Sequence, residues 1–81
     1  MKHAFSERFI RQYRALTPAL KAKVDKQIAF LVANLHHPSL RAKKYDEANN
    51  VWQARVDDSY RFYFKIEGDT YLILSLIPHP K

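Results

Sequence analysis

Residues 51–64, VWQARVDDSYRFYF, alternate between two kinds of side chain on either side of the DDS triplet. One set is apolar or aromatic: Trp52, Ala54, Val56, Tyr60, Phe62 and Phe64. The other set is polar or basic: Gln53, Arg55, Arg61, Tyr63 and then Lys65. A period of two is typical of a strand with one face in the core. The segment therefore predicts a β-hairpin with an apolar face and a cationic face.

The length of the DDS loop, residues 57–59, decides whether this separation of faces survives pairing. Residues opposite each other on neighbouring strands share a face. A two-residue loop would place Val56 beside Arg61 and mix the two faces. A three-residue loop keeps the faces separate through four pairs: Val56 with Tyr60, Arg55 with Arg61, Ala54 with Phe62, and Gln53 with Tyr63. We therefore predict the three-residue loop.

A third strand follows at residues 70–77, and the short turns predict antiparallel pairing of the runs 51–56, 60–66 and 70–77. For the EGD turn, residues 67–69, the same reasoning favours three loop residues. That register would place Leu72, Leu74 and Leu76 on the core side. A two-residue turn at Gly68 and Asp69 is the alternative, because the last strand is apolar on both faces.

The first half of the chain predicts a short strand in residues 2–5 and two helices. Ser6 is a suitable N-cap for the first helix. Thr17 followed by Pro18 is typical of a helix start, and the second helix is expected over residues 18–35. Each layer has an apolar side that must be buried. The prediction is one domain, residues 1–81, with an α+β fold in which a first strand and a helical hairpin pack on one face of an antiparallel sheet.

Composition points to a soluble cytoplasmic protein with a polyanionic partner. The 81 residues contain no cysteine and carry a net charge of +6. The charged start lacks the apolar core of a signal peptide, and the longest uncharged apolar run, TYLILSLIP, is too short to span a membrane. A basic balance suggests nucleic acid, although a solvated basic surface is the simpler alternative. Cations with aromatic rings between them suit single-stranded RNA.

The chain resembles the RelE/ParE superfamily of bacterial toxin–antitoxin toxins. The resemblance rests on the helical hairpin begun by Thr-Pro, the connector HPSLRAKK, the strand motifs WQARV and SYRFYF, and the ending LSLIPHPK. It implies a β-α-α-β-β-β fold. For the RelE branch it also implies a ribosome-dependent mRNA endonuclease that cleaves through a 2′-hydroxyl, without a metal or cofactor.

The resemblance implies specific roles on the cationic face. Arg61 matches the arginine of the Tyr-Arg element, Arg55 matches a basic strand position, and His79 falls where many members carry a basic residue or histidine. We expect these three to be catalytic. Substrate-binding residues would be Gln53, Tyr63, Lys65, Arg41, Lys43, Lys44 and Lys81. The chain departs from the family pattern in Gln53, where some members carry lysine, and in the lack of a longer C-terminal segment.

Partners and alternatives also follow from the resemblance. A cognate antitoxin should wrap the toxin, with the apolar residues 73–77 as an edge suited to it, while the ribosome and mRNA would be the targets. A ParE-like gyrase poison and a non-catalytic RNA- or antitoxin-binding module remain alternatives. The adjacent His36 and His37 are interpreted as loop residues, because no cysteine or clustered carboxylate could complete a metal site with them.

Overall fold

Two helices, a short helical turn and five strands follow one another in the computed structural model, which describes residues 2–78. The elements in chain order are β1 (Lys2–Phe5), α1 (Glu7–Arg14), α2 (Pro18–Ala33), a 3₁₀ turn (Pro38–Leu40), β2 (Lys43–Asp46), β3 (Val51–Arg55), β4 (Tyr60–Glu67) and β5 (Thr70–Pro78).

Both helices begin where their capping residues predict. The Ser6 hydroxyl accepts a hydrogen bond from the backbone N–H of Phe9 at 3.1 Å, and the Thr17 hydroxyl accepts one from Leu20 at 3.3 Å. Pro18 occupies the first turn of α2, where its missing N–H costs no helical hydrogen bond. α2 ends at Ala33, slightly before the expected end, because Asn34 is already extended with φ −162°.

The strand order in the sheet is β1-β5-β4-β3-β2. The pairs joined by short connections are antiparallel, as predicted, whereas β1 pairs in parallel with β5. The predicted α+β fold is confirmed, with a mixed sheet in place of a purely antiparallel one. No short turn fixes the direction of β1 relative to β5, because residues 6–69 lie between the two strands.

The β3–β4 hairpin has the predicted register. Arg55 lies opposite Arg61, Ala54 opposite Phe62, and Gln53 opposite Tyr63. The backbone N–H of Val56 donates to the Tyr60 carbonyl at 3.1 Å and closes the three-residue loop. The hairpin therefore separates its apolar and polar side chains onto opposite faces of the sheet.

The β4–β5 hairpin corrects the sequence-based register. Glu67 pairs with Thr70, so the turn contains only Gly68 and Asp69, and Gly68 supplies the positive φ of 60° that such a turn needs. Leu72 consequently lies opposite Lys65 on the uncovered face. The ladder then shifts between Tyr63 and Phe64. The expectation that three leucines face the core was wrong for two of them and right for one: Leu72 and Leu74 are half-buried, whereas Leu76 is buried.

The core lies between the helices and one face of the sheet. Its fully buried large side chains are Phe62, Phe64, Leu31, Leu40, Ile73 and Val24. Trp52 packs against this cluster from the rim. None of the helices within residues 2–78 combines the length and apolar composition that crossing a membrane requires.

Helix α1 covers the part of β5 that extends beyond β1. The Ser6 hydroxyl donates to the Leu74 carbonyl at 2.6 Å, and the Leu76 N–H donates to the Gln12 side-chain oxygen at 2.8 Å. Residues 73–77 are therefore not the open edge that we expected an antitoxin to use, because β4 pairs with them on one side and α1 binds their backbone on the other.

Candidate nucleic-acid interface

A cationic cleft lies on the sheet face that the helices leave uncovered. Its volume is about 210 Å³, and it is lined by Arg41, Lys43, Gln53, Arg55 and Arg61. Strand register explains the grouping, since Lys43 lies opposite Gln53 and Arg55 lies opposite Arg61. Four positive charges and one amide thus converge from three strands and the connector before β2, which is a suitable environment for a phosphate.

The two opposed arginines turn toward the loop between their strands. Arg55 forms an ion pair with Asp58. A terminal nitrogen of Arg61 donates to the backbone carbonyls of Asp57 at 2.7 Å and Tyr60 at 3.1 Å. These partners offset the repulsion between like charges placed opposite each other. Each guanidinium has five N–H donors, so these bonds leave donors for an anion in the cleft.

Gln27 is a buried residue of α2 that fixes one wall of the cleft. Its amide nitrogen donates to the carbonyls of Arg55 at 2.7 Å and Ser39 at 3.1 Å, and its oxygen accepts from the Ser39 hydroxyl at 2.9 Å. These bonds tie strand β3 to the turn that precedes Arg41. Sequence reasoning did not single out Gln27, although its position between Val24 and Leu31 in the apolar stripe of α2 was a usable signal.

Tyr63 extends the cationic face beyond the cleft. It lies opposite Gln53 and Ser75, and its ring centroid is 4.8 Å from that of Tyr45. Burial, with a smaller contribution from Tyr45, raises the pKa of the Tyr63 phenol, while the charge of Arg61 acts in the opposite direction. The phenol is therefore a neutral hydrogen-bond donor at physiological pH.

Tyr45 is another residue that sequence reasoning missed, and it lies on the cationic face. It lies in β2 where the register shifts, and it remains exposed beside Tyr63. The sequence RAKKYDEANN gave no clear period, so nothing local indicated which face Tyr45 would occupy. Only the pairing of β2 with β3 reveals it.

Of the remaining predicted binding residues that the structure describes, Arg41 lines the cleft, whereas Lys44 and Lys65 do not. Lys65 lies opposite Val51 and Leu72, further along the same face. The Lys44 ammonium is 5.2 Å from the Trp52 ring centroid and donates to the Asn50 side chain at 2.6 Å, so the structure does not bring it into the cleft. Arg41 does line the cleft, and it ends the 3₁₀ turn in a left-handed conformation with φ 47°.

His79 and Lys81 lie outside the described residues. Ile77 is the last described residue of β5 on the face of Arg61, and it lies directly opposite Arg61. The expected parity of the final strand, with Ser75 and Ile77 on the face of Arg61, is therefore present up to this point.

The two histidines in the connector differ in their surroundings. The His37 ring stacks on Phe30 with centroids 3.8 Å apart, and its Nδ1 accepts a hydrogen bond from the Ser39 N–H at 3.2 Å. His36 is exposed. Within residues 2–78, no three histidine, cysteine or carboxylate side chains gather in a group that could hold a metal ion.

No protein-family model and no curated protein matches the chain in sequence, but solved structures match it closely in fold. The YoeB/ParE toxin from Agrobacterium tumefaciens superposes with a TM-score of 0.83 at 15% identity, covering 99% of this chain and all of the other. The chain has the fold of the RelE/ParE toxins. The resemblance inferred from the sequence motifs is thereby confirmed at the level of fold.

Two further structures with the RelE/ParE fold contain an antitoxin. The archaeal RelE–RelB complex from Pyrococcus horikoshii OT3 gives a TM-score of 0.80 at 16% identity, over 95% of this chain and 92% of the other. The intact RelBE toxin–antitoxin complex from E. coli gives 0.74 at 12% identity, over 99% and 98%. The likeness therefore extends over the whole domain in each case.

Proposed function

We propose that the chain is the toxin of a toxin–antitoxin module and cleaves mRNA on the ribosome. The observation that carries this proposal is the cleft formed by Arg41, Lys43, Gln53, Arg55 and Arg61 on the uncovered sheet face. Opposed like charges do not favour folding, whereas two neighbouring guanidinium groups are well suited to bind the oxygens of one phosphodiester.

The chemistry we assign to the cleft is attack of a ribose 2′-hydroxyl on the adjacent phosphorus. The new P–O bond forms as the bond to the 5′-oxygen breaks, which leaves a 2′,3′-cyclic phosphate and a 5′-hydroxyl. Arg61 and Arg55 stabilise the extra negative charge of the phosphorane, since each guanidinium can bind two phosphate oxygens. A proton must leave the 2′-oxygen and another must reach the 5′-oxygen, and we assign one of these transfers to His79 because imidazole titrates near neutrality.

Substrate positioning is assigned to the neighbouring groups of the same face. Gln53 and Tyr63 offer hydrogen bonds, while Lys43 and Lys65 offer charge to the phosphates on either side of the reacting one. We assign Arg41, Lys44 and Lys81 to rRNA or mRNA phosphates. The net charge of +6 supports a polyanionic target of this kind.

A cognate antitoxin is the second proposed partner. The structure of the same fold from Pyrococcus horikoshii is a RelE–RelB complex, and the one from E. coli is the RelBE toxin–antitoxin complex. An acidic segment that covers the cationic cleft would compete directly with RNA for Arg55 and Arg61. This arrangement would keep the toxin inactive until the antitoxin is removed.

The test is controlled expression of the wild-type chain, Arg61→Ala and Arg8→Ala. Arg8→Ala is the matched control, because it removes the same charge from an exposed position of α1. We expect the wild type and Arg8→Ala to stop protein synthesis and to produce new mRNA 5′-hydroxyl ends. Arg61→Ala should do neither while remaining folded by circular dichroism.

Growth arrest and mRNA cleavage that persist in a folded Arg61→Ala variant would reject the nuclease assignment. A gyrase poison is the alternative that two observations favour: Arg55 and Arg61 already have partners in the loop, and Gln53 falls where some RelE-type members carry lysine. DNA-damage signalling with intact mRNA would select that alternative. Normal growth together with antitoxin binding would select a non-catalytic module.

A further inference from the structure

Tyr45 is an aromatic side chain whose exposure folding does not explain. Among the large hydrophobic side chains of residues 2–78, only Phe5 at 41% and Tyr45 at 63% are strongly exposed. Phe5 stacks on Phe9, with ring centroids 5.2 Å apart, and so contributes to the packing of β1 on α1. Tyr45 instead lies on the uncovered face of the sheet against Tyr63.

The backbone of β2 directs Tyr45 to this position. Lys44 pairs with Trp52 and Asp46 pairs with Val51, so Tyr45 is the extra residue of a β-bulge. Bulges in edge strands commonly redirect a side chain toward a site. Here the Tyr45 ring lies against Tyr63, which belongs to the cross-strand row formed by Lys43, Gln53 and Tyr63.

The geometry of the two rings defines what can bind there. Their centroids are 4.8 Å apart and their planes meet at 57°, so no base fits between them. Tyr63 contacts one side of the Tyr45 ring, and the other side of the ring is open to solvent. Lys43, which lines the phosphate cleft, precedes Tyr45 by two residues on the same strand, a distance of roughly 7 Å.

We propose that Tyr45, supported by Tyr63, is a stacking platform for one unpaired RNA base whose neighbouring phosphate lies in the cleft of Arg41, Lys43 and Arg61. The proposal rests on the proposed RNA-directed function and identifies a binding residue for it. Stacking on an aromatic ring tolerates any base, because every base has a π-face, so the platform would contribute affinity and position without strict sequence preference.

The test is binding of a fluorescein-labelled single-stranded 2′-O-methyl oligoribonucleotide, which cannot be cleaved through its 2′-oxygens. We expect Tyr45→Ala to bind it roughly tenfold to a hundredfold more weakly than the wild type, while Tyr45→Phe keeps the affinity. The dependence of affinity on salt should be unchanged in Tyr45→Ala, because the ring carries no charge. Arg61→Ala should make the slope of log affinity against log salt concentration shallower by about one, which corresponds to the loss of one phosphate contact.

An abasic oligonucleotide of the same length distinguishes stacking from a structural effect. On this probe Tyr45→Ala should match the wild type, because there is no base to stack. Equal affinity of Tyr45→Ala and wild type for the base-containing probe, with binding lost in Arg61→Ala, would overturn the platform and leave the proposed function intact. Failure of the wild-type chain to bind either probe, alone or on ribosomes, would overturn both.

Discussion

The ten paired residues of the β3–β4 hairpin are divided between the two faces of the sheet, and the two faces have opposite roles. On the helix-covered face, Ala54 and Phe62 are fully buried. On the other face, Arg55 and Arg61 occupy the adjacent pair and line a cleft. The covered face supplies the free energy of folding, whereas the uncovered face holds polar groups that folding does not need. Substitutions on the two faces should therefore change different measured quantities.

Phe62→Ala should have the largest effect on stability. Removing a fully buried phenylalanine ring costs about 3–5 kcal/mol, which is a large share of the roughly 4–12 kcal/mol expected in total for a domain of this size. We expect a much lower urea midpoint than that of the wild type, as measured by urea denaturation followed by circular dichroism. Arg61→Ala is the matched substitution one residue away on the other face, and its urea midpoint should stay near that of the wild type. Similar losses in both variants would contradict the division between the faces.

Leu76→Ala and Leu72→Ala test the same division in β5, where the alternation of the sequence gave no answer. Leu76 is buried and should cost about 2–5 kcal/mol when truncated, whereas the half-buried Leu72 should cost about 1 kcal/mol or less. The measurement is again the free energy of unfolding in urea. A loss in Leu72→Ala as large as that in Leu76→Ala would argue for the three-residue turn and against the observed register.

Asp57→Ala tests the loop that joins the two faces and should have a smaller effect. The carboxylate accepts hydrogen bonds from the N–H groups of Ser59 at 2.8 Å and Tyr60 at 2.9 Å, and it pairs with Lys23 at 3.3 Å. Burial acts to raise the pKa of Asp57, but these partners outweigh it and hold the pKa below its ordinary value. We expect a loss of about 1–2 kcal/mol at neutral pH.

The pH dependence of this loss has a definite sign. Because the carboxyl pKa is lower in the folded chain than in the unfolded chain, its stabilisation is complete above about pH 4 and disappears as the pH falls through the folded value. The difference between wild type and Asp57→Ala should therefore shrink in acid. Asp58→Ala is the control from the same loop, and it should change stability little because its side chain is 82% exposed.

The hairpin was predictable because its information is local. Alternation assigns a face to each side chain of β3 and β4, and the DDS loop permits only one parity that keeps Arg55 and Arg61 together. The same local reasoning located both helix starts at Ser6 and Thr17. These features depend on neighbours within a few residues, so the sequence contains everything needed to infer them.

The β5 register and the wall of the cleft could not be obtained in this way. A strand that is apolar on both faces fits two registers equally well, and the two-residue turn at Gly68, together with the register shift between Tyr63 and Phe64, selected between them. Gln27 became visible as a positioning residue only when α2 was placed against Ser39 and Arg55. Each of these depends on groups far apart in the chain.

By itself, the sequence determined that one hairpin would present cations on one side and a core on the other, since side-chain direction in a strand follows from counting residues. Only the tertiary structure decided that β1 would run parallel beside β5, that α1 would bind the remaining edge, and that Tyr45 would join the cationic face. Those outcomes depend on which distant strands pair and where a bulge falls, and pairing between distant segments is set by packing of the whole domain.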